Sequence, residues 1–184
     1  MIKKKSKEGS TMCTRFVLNG RDMITGFNFD IDLSVWKHQV IEEKDRFYIG
    51  ILRPDGTYHS YHGVNRNGNA GTLQYVHGNP AGAYQDSSDC MTIADLTEQF
   101  IKAQISFEDA LQIVRSRKIT YAQDAAMQAM LSDIQGRVLI IEPGIGYRRE
   151  QKYFSSPAPT IRCPPFPPIR FRSFLRNGIW MLRI

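Results

Sequence analysis

Apolar positions along the chain fall into short runs cut by turn residues, and only between residues 92 and 114 do they recur at helical spacing. Phe16 to Leu18 is a short apolar run that meets Asn19-Gly20, and a second run begins at Met23, so a β-hairpin is predicted with Cys13 at its start. In Gly26-Phe27-Asn28-Phe29-Asp30 the alternation puts Asn28 and Asp30 on one face of a strand and Phe27 and Phe29 on the other. Residues 31–45 are mixed, with Trp36 expected to cover core or line a pocket. Phe47 to Leu52, the turn Pro54-Asp55-Gly56 and Tyr58 to Tyr61 predict a second hairpin. Val64 to Gly71, rich in Asn and Gly, reads as a turn region, and Thr72 to Val76 as a strand that carries Gln74. Gly78 to Asp89 is a loop of the kind that either edges a pocket or simply connects.

Two helices follow. Thr92 with Asp95 three residues on precedes Ile93, Leu96, Phe100 and Ile101; Ser106 with Asp109 precedes Phe107, Ala110, Leu111 and Val114. Met127 to Leu131, a turn over Ser132 to Gly136, and Val138 to Ile141 predict a third hairpin, whose nearly all-apolar second strand is expected to be buried on both faces. Strands at both ends with helices between give the fold class α+β.

Charge divides the chain at residue 150. Residues 1–150 hold equal numbers of basic and acidic side chains, so the whole net charge of +6 lies in residues 151–184, which also hold six of the nine prolines and no acid. That segment shows no helical or strand periodicity and is expected to be a disordered Pro/Arg-rich tail, a further region after a body spanning 12–150. Charge on such a segment, rather than on a folded face, argues against nucleic acid as a partner. Residues 1–11 hold four lysines and no apolar run, so neither a signal peptide nor a membrane anchor is expected there; they are read as a disordered leader or a misassigned start. Lys7-Glu8-Gly9-Ser10-Thr11-Met12 fits translation of a purine-rich stretch like a bacterial ribosome-binding site, with Met12 as the true start; a short propeptide is the competing reading. Either way the mature chain would begin at Cys13.

Three cysteines, Cys13, Cys90 and Cys163, are widely spaced with no Cys-x-x-Cys, which suggests neither a disulfide framework nor a zinc knuckle and fits a reducing cytoplasm. His59 and His62 are three apart in a strand-like run, so they are read as surface or hydrogen-bonded histidines rather than as ligands of one metal. No metal or other cofactor is suggested. Taken alone, Cys13 has a plain reading as a small buried hydrophobe.

A resemblance changes that reading. Met12-Cys13-Thr14 opening a strand, followed by Gly26-Phe27-Asn28-Phe29-Asp30, resembles the choloylglycine hydrolases and penicillin V acylases, linear-amide hydrolases of the N-terminal-nucleophile superfamily. Gly63-Val64-Asn65 with Asn67-Gly68, Leu73-Gln74-Tyr75, and Met130-Leu131-Ser132-Asp133 with Gly136 resemble later motifs of that family, in order, over about Met12 to Glu150. The resemblance implies an αββα sandwich and hydrolysis of linear carbon–nitrogen amide bonds in a small-molecule substrate. It implies Cys13 as nucleophile, Asp30 as the residue orienting its amine, and Gln74 as an oxyanion donor, with the strand positions Phe27 and Asn28 at the substrate. The family has an arginine where this chain has Phe27, and Arg15 is the candidate to compensate. The family's later Thr-Asn pair and arginine have no counterpart here, and Tyr153-Phe154-Ser155-Ser156-Pro157 stands near where that Asn would fall, so the tail reads as out-of-frame translation. A second reading follows: a truncated, catalytically inactive relative, or a binding protein with a basic Pro-rich arm. On either reading the strand Val138 to Ile141 lacks neighbours that the tail can supply, and an exposed edge favouring aggregation or homo-oligomers is expected.

Overall fold

The computed structural model describes residues 14–19, 23–28, 37–151, 174–176 and 179–183. Its centre is a seven-stranded antiparallel sheet in the order β11-β10-β9-β6-β5-β4-β3, formed by β3 (His38–Glu42), β4 (Arg46–Leu52), β5 (Tyr58–Asn65), β6 (Ala70–Tyr75), β9 (Met127–Ser132), β10 (Arg137–Glu142) and β11 (Gly146–Gln151). The second sheet has the order β1-β2-β13-β12, from β1 (Thr14–Asn19), β2 (Met23–Asn28), β12 (Phe174–Arg176) and β13 (Ile179–Arg183). Between β6 and β9 come β7 (Cys90–Thr92), α1 (Ile93–Ile101), α2 (Phe107–Ser116) and β8 (Lys118–Thr120), with β7 and β8 paired in parallel.

Both helices begin where the sequence places their caps. The Thr92 hydroxyl accepts from the Asp95 amide at 3.0 Å, and Ser106 and Asp109 close a reciprocal capping box. The apolar stripe of α1, Ile93, Leu96, Phe100 and Ile101, is fully buried on the large sheet, each side chain contributing on the order of 2 kcal/mol.

The helix lies so close to the sheet that two strand positions must lack a side chain. Gly63 and Gly71 face each other across β5 and β6, and a Cβ on either would stand 2.9 Å from the Ile101 side chain. Gly63 and Gly71 are therefore seats for α1, which corrects the expectation that Val64 to Gly71 is all turn: β5 runs through Asn65, β6 starts at Ala70, and the turn is only residues 66–69. Asn65 locks the arrangement. Its Nδ2 donates to the Phe100 and Ile101 carbonyls at 3.2 and 3.1 Å in the last turn of the helix, where the Phe100 carbonyl also accepts from the Ala103 amide, and its Oδ1 accepts from the Asn67 and Asn69 amides.

Side chains alternate along a strand, so the neighbours of these glycines point away from α1. On that far face Phe27 of β2 stacks on the His62 ring, with centroids 5.2 Å apart, and the second sheet covers the first. Helix, sheet, sheet is the α+β layering that the resemblance implies, with one helical layer among the described residues.

Three further expectations are corrected. Strand β10 is not buried on both faces: Leu139 and Ile141 are buried at 0 and 1% exposure, while Val138 and Ile140 are half-exposed. It is flanked on both edges, by β9 and by β11, a strand whose polar sequence Gly-Tyr-Arg-Arg-Glu-Gln gave no apolar alternation to read. The tail is not without strands either. Asn177-Gly178 separates Phe174–Arg176 from Ile179–Arg183, and β13 pairs with β2 from Ile179↔Asn28 to Arg183↔Ile24. An Asn-Gly pair between apolar runs is a hairpin signal, outweighed in the sequence by the prolines before it.

Candidate active site

The site that the sequence points to lies where β1 and β2 meet the far face of the large sheet. Cys13 and Asp30 fall outside the described residues. The strands that lead to them are described: Thr14 pairs with Asn28, so the residue after Cys13 stands opposite the residue two before Asp30. Asn28 is in β2, hydrogen-bonded between β1 and β13. Phe27 is fully buried, stacked on His62 and tilted against Tyr61 at 6.2 Å, so it forms the floor under the strand pair rather than an open wall.

Arg15 is directly cross-strand from Phe27 and so lies on the same face. Its guanidinium is desolvated, which pushes its pKa down to about 10, with Tyr61 and Glu142 opposing that shift; it still carries its charge at neutral pH. One terminal nitrogen, Nη1, is buried without a hydrogen-bond partner. The strand beside β2 thus brings a cation to the face on which Phe27 lies.

Across the large sheet, His62, Thr72 and Met130 lie in one row, and Gln74 and Gln128 pair two residues further on along β6 and β9. Gln74 is half-buried, and Gln128 Nε2 donates to its Oε1 at 3.3 Å, which orients the Gln74 amide. His62 is fully buried; its Nδ1 is 2.6 Å from the Thr72 hydroxyl, and Nε2 is buried without a partner. Burial alone lowers its pKa to about 4, so the imidazole is neutral at physiological pH. Its sequence neighbours mark it only as surface or hydrogen-bonded, and its burial comes from Phe27 on the other sheet.

His59 goes a different way. Its Nδ1 is 3.0 Å from Glu98 of α1 and its Nε2 2.6 Å from Asp55 in the β4–β5 turn. Burial alone would lower its pKa, but the two carboxylates outweigh that and raise it. The two histidines have separate partners, and among the described residues no cluster of three His, Cys, Asp or Glu side chains is placed to hold a metal. A cavity of about 470 Å³ opens beside His59, lined also by Tyr61, Leu73 and Tyr84, the last from the loop between β6 and β7. Tyr61 links this cavity to Phe27 and the strand pair.

Comparison with known proteins is informative at the level of structure. No family model matches the sequence, and no curated protein matches it. Among solved structures, a conjugated bile acid hydrolase from Clostridium perfringens superimposes with a TM-score of 0.55 at 15% identity, covering 75% of this chain and 50% of that one. A second variant of that enzyme gives 0.53 at 13%, with the same coverage. A penicillin V acylase from Agrobacterium tumefaciens gives 0.54 at 16%, covering 75% of this chain and 49% of that one. The chain thus spans about half the length of the structures it matches. Over that span it has the fold of the bile acid hydrolase and the penicillin V acylase.

Proposed function

We propose that the chain is a hydrolase of linear amide carbon–nitrogen bonds whose nucleophile is Cys13, acting as the first residue of the mature protein. The observation that carries this reading is the β1–β2 pair: it starts one residue after Cys13, sets Thr14 against Asn28, and turns the buried Arg15 cation toward the sheet face that bears Gln74. Likeness of fold to two amide hydrolases supports it.

A thiol with an ordinary pKa of about 8.5 is mostly protonated at neutral pH, and a free α-amine of pKa about 7.7 to 8 on the same residue is a base within reach. The amine takes the thiol proton, and the thiolate attacks the amide carbonyl. A carbon–sulfur bond forms, and the carbonyl electrons move to oxygen, where the Gln74 amide donates a hydrogen bond. As the tetrahedral intermediate collapses the carbon–nitrogen bond breaks, and the departing amine takes the proton from the α-ammonium. Water, deprotonated by the same amine, then cleaves the thioester. Asp30 orients the amine, Asn28 contacts substrate, and Phe27 shapes the floor while Arg15 opposite it stabilises the thiolate. The site works in a reducing cytoplasm, where the thiol stays free.

The test is turnover of a panel of linear N-acyl amides by chain whose amino terminus is Cys13, with trapping of the Cys13 thioester by acid quench and mass spectrometry. Burst formation of that adduct is expected. Absence of turnover and of any reaction of Cys13 with thiol-directed probes favours the inactive relative or binding protein.

A further inference from the structure

Strands β5 and β6 are paired only over His62 to Val64 and Ala70 to Thr72, although β5 begins at Tyr58 and β6 continues to Tyr75. Where they part, a fork opens, and the 470 Å³ cavity occupies it, within the size range of small-molecule pockets. Leu73 and Ile51 give it an apolar floor. Ser60 lines it, is only 2% exposed, and has a hydroxyl with no hydrogen-bond partner. Buried hydroxyls are ordinarily satisfied, so an unpaired one on a cavity wall marks a place for a ligand's polar atom.

The charge of the wall decides which ligand. Among the described residues two cations line the fork, and carboxylates already engage both. Arg53 donates to Asp124 through Nε at 2.7 Å and again through Nη2, and His59 lies between Glu98 and Asp55. Asp95 lines the same wall with no cation beside it; the Thr92 hydroxyl donates to it at 2.6 Å. Asp55, Asp95 and Asp124 against Arg53 and His59 leave the wall net negative whether or not His59 carries a proton. A carboxylate entering this space would be desolvated facing like charges, whereas a protonated amine would be compensated. We infer that the fork seats the part of the substrate that carries a protonated amine on an apolar body, hydrogen-bonded to the Ser60 hydroxyl and balanced by the acidic wall, and that it rejects carboxylates. Calling the ligand part of the substrate rests on the amidase reading; the binding itself does not.

The test is calorimetric titration of the full chain at neutral pH with 4-phenylbutylamine and with 4-phenylbutanoate, which share an apolar body and differ in charge. Saturable binding of the amine at least about tenfold tighter than the carboxylate is expected. Ser60→Ala and Asp95→Asn should each weaken the amine about fivefold, and Asp124→Asn, which releases Arg53, should raise affinity for the carboxylate and narrow the preference. Equal or tighter binding of the carboxylate, no saturable binding of either probe, or amine binding untouched by both Ser60→Ala and Asp95→Asn overturns the inference. The ratio for the unsubstituted protein needs no variant to fold. Since no arm requires turnover, loss of this preference in a chain with Cys13-dependent activity counts against the fork alone, and its presence in an inactive chain counts against the amidase reading alone.

Discussion

The two faces of the large sheet are built from different material. The face under α1 is apolar: Leu73, Ala129, Leu131, Leu139 and Ile141 are 0 to 2% exposed, and Gly63 and Gly71 let the helix settle onto the backbone. The face under β1 and β2 carries His62, Thr72, Gln74 and Gln128, with a buried guanidinium above and two buried nitrogens, Arg15 Nη1 and His62 Nε2, that have no partner. Unpaired polar atoms are unfavourable in a core and are tolerated where a site uses them. The apolar face therefore holds the fold together, the polar face is the one proposed to carry the chemistry, and substitutions on the two should separate stability from turnover.

The largest effect is expected at the nucleophile. Cys13→Ser should lower turnover by about three orders of magnitude or more without moving the melting temperature, and Asp30→Asn should lower it strongly, while Cys90→Ala and Cys163→Ala change little. A loss as great from Cys90→Ala, with the fold intact, would place the nucleophile elsewhere. Gln74→Ala should reduce kcat by about two to three orders of magnitude at unchanged thermal stability. Parallel loss of stability and activity would make Gln74 a packing residue and erase the contrast between the faces.

His62 sharpens the contrast through pH. Its folded pKa of about 4 lies below the ordinary 6.5, so the folded state resists protonation. Stability should fall as pH drops from about 6.5 to 4, by on the order of 3 kcal/mol in total, and denaturant titrations of His62→Gln should lack that component. On the helix face, Gly71→Val should cost about 1 to 3 kcal/mol by forcing Ile101 and Thr97 aside, with turnover per folded molecule retained. The smallest effect is expected at His59, whose raised pKa gives the opposite sign: its contribution is present at low pH and is lost as pH rises through that pKa. A His59→Gln variant whose stability responds to pH like the parent would remove His59 from this account.

What the sequence made legible follows from how local each signal is. The helix starts at Thr92 and Ser106 were readable because a cap and its partner lie three residues apart. Gly71 misled because a glycine that seats a helix and a glycine that makes a turn look the same until Ile101 is placed over it. The hairpin Phe174–Arg183 was hidden by its proline-rich approach, and its role, pairing along β2, depends on a contact with the opposite end of the chain. At the site, the motif residues Gln74, Phe27 and Asn28 could be named from the sequence, but the position of Arg15 relative to Phe27 is a matter of strand register, which only the paired strands show. His62 was legible as hydrogen-bonded and not as buried, since burial comes from Phe27 across the sheets.

The central claim is that Cys13 acts as an amino-terminal nucleophile, and it is tested most directly by intact-mass measurement on the species that turns over a linear amide. Active protein should have the mass of a chain beginning at Cys13, and chain that retains residues 1–12 should be inert until they are removed. Full turnover by protein with Met1 still attached would contradict the account.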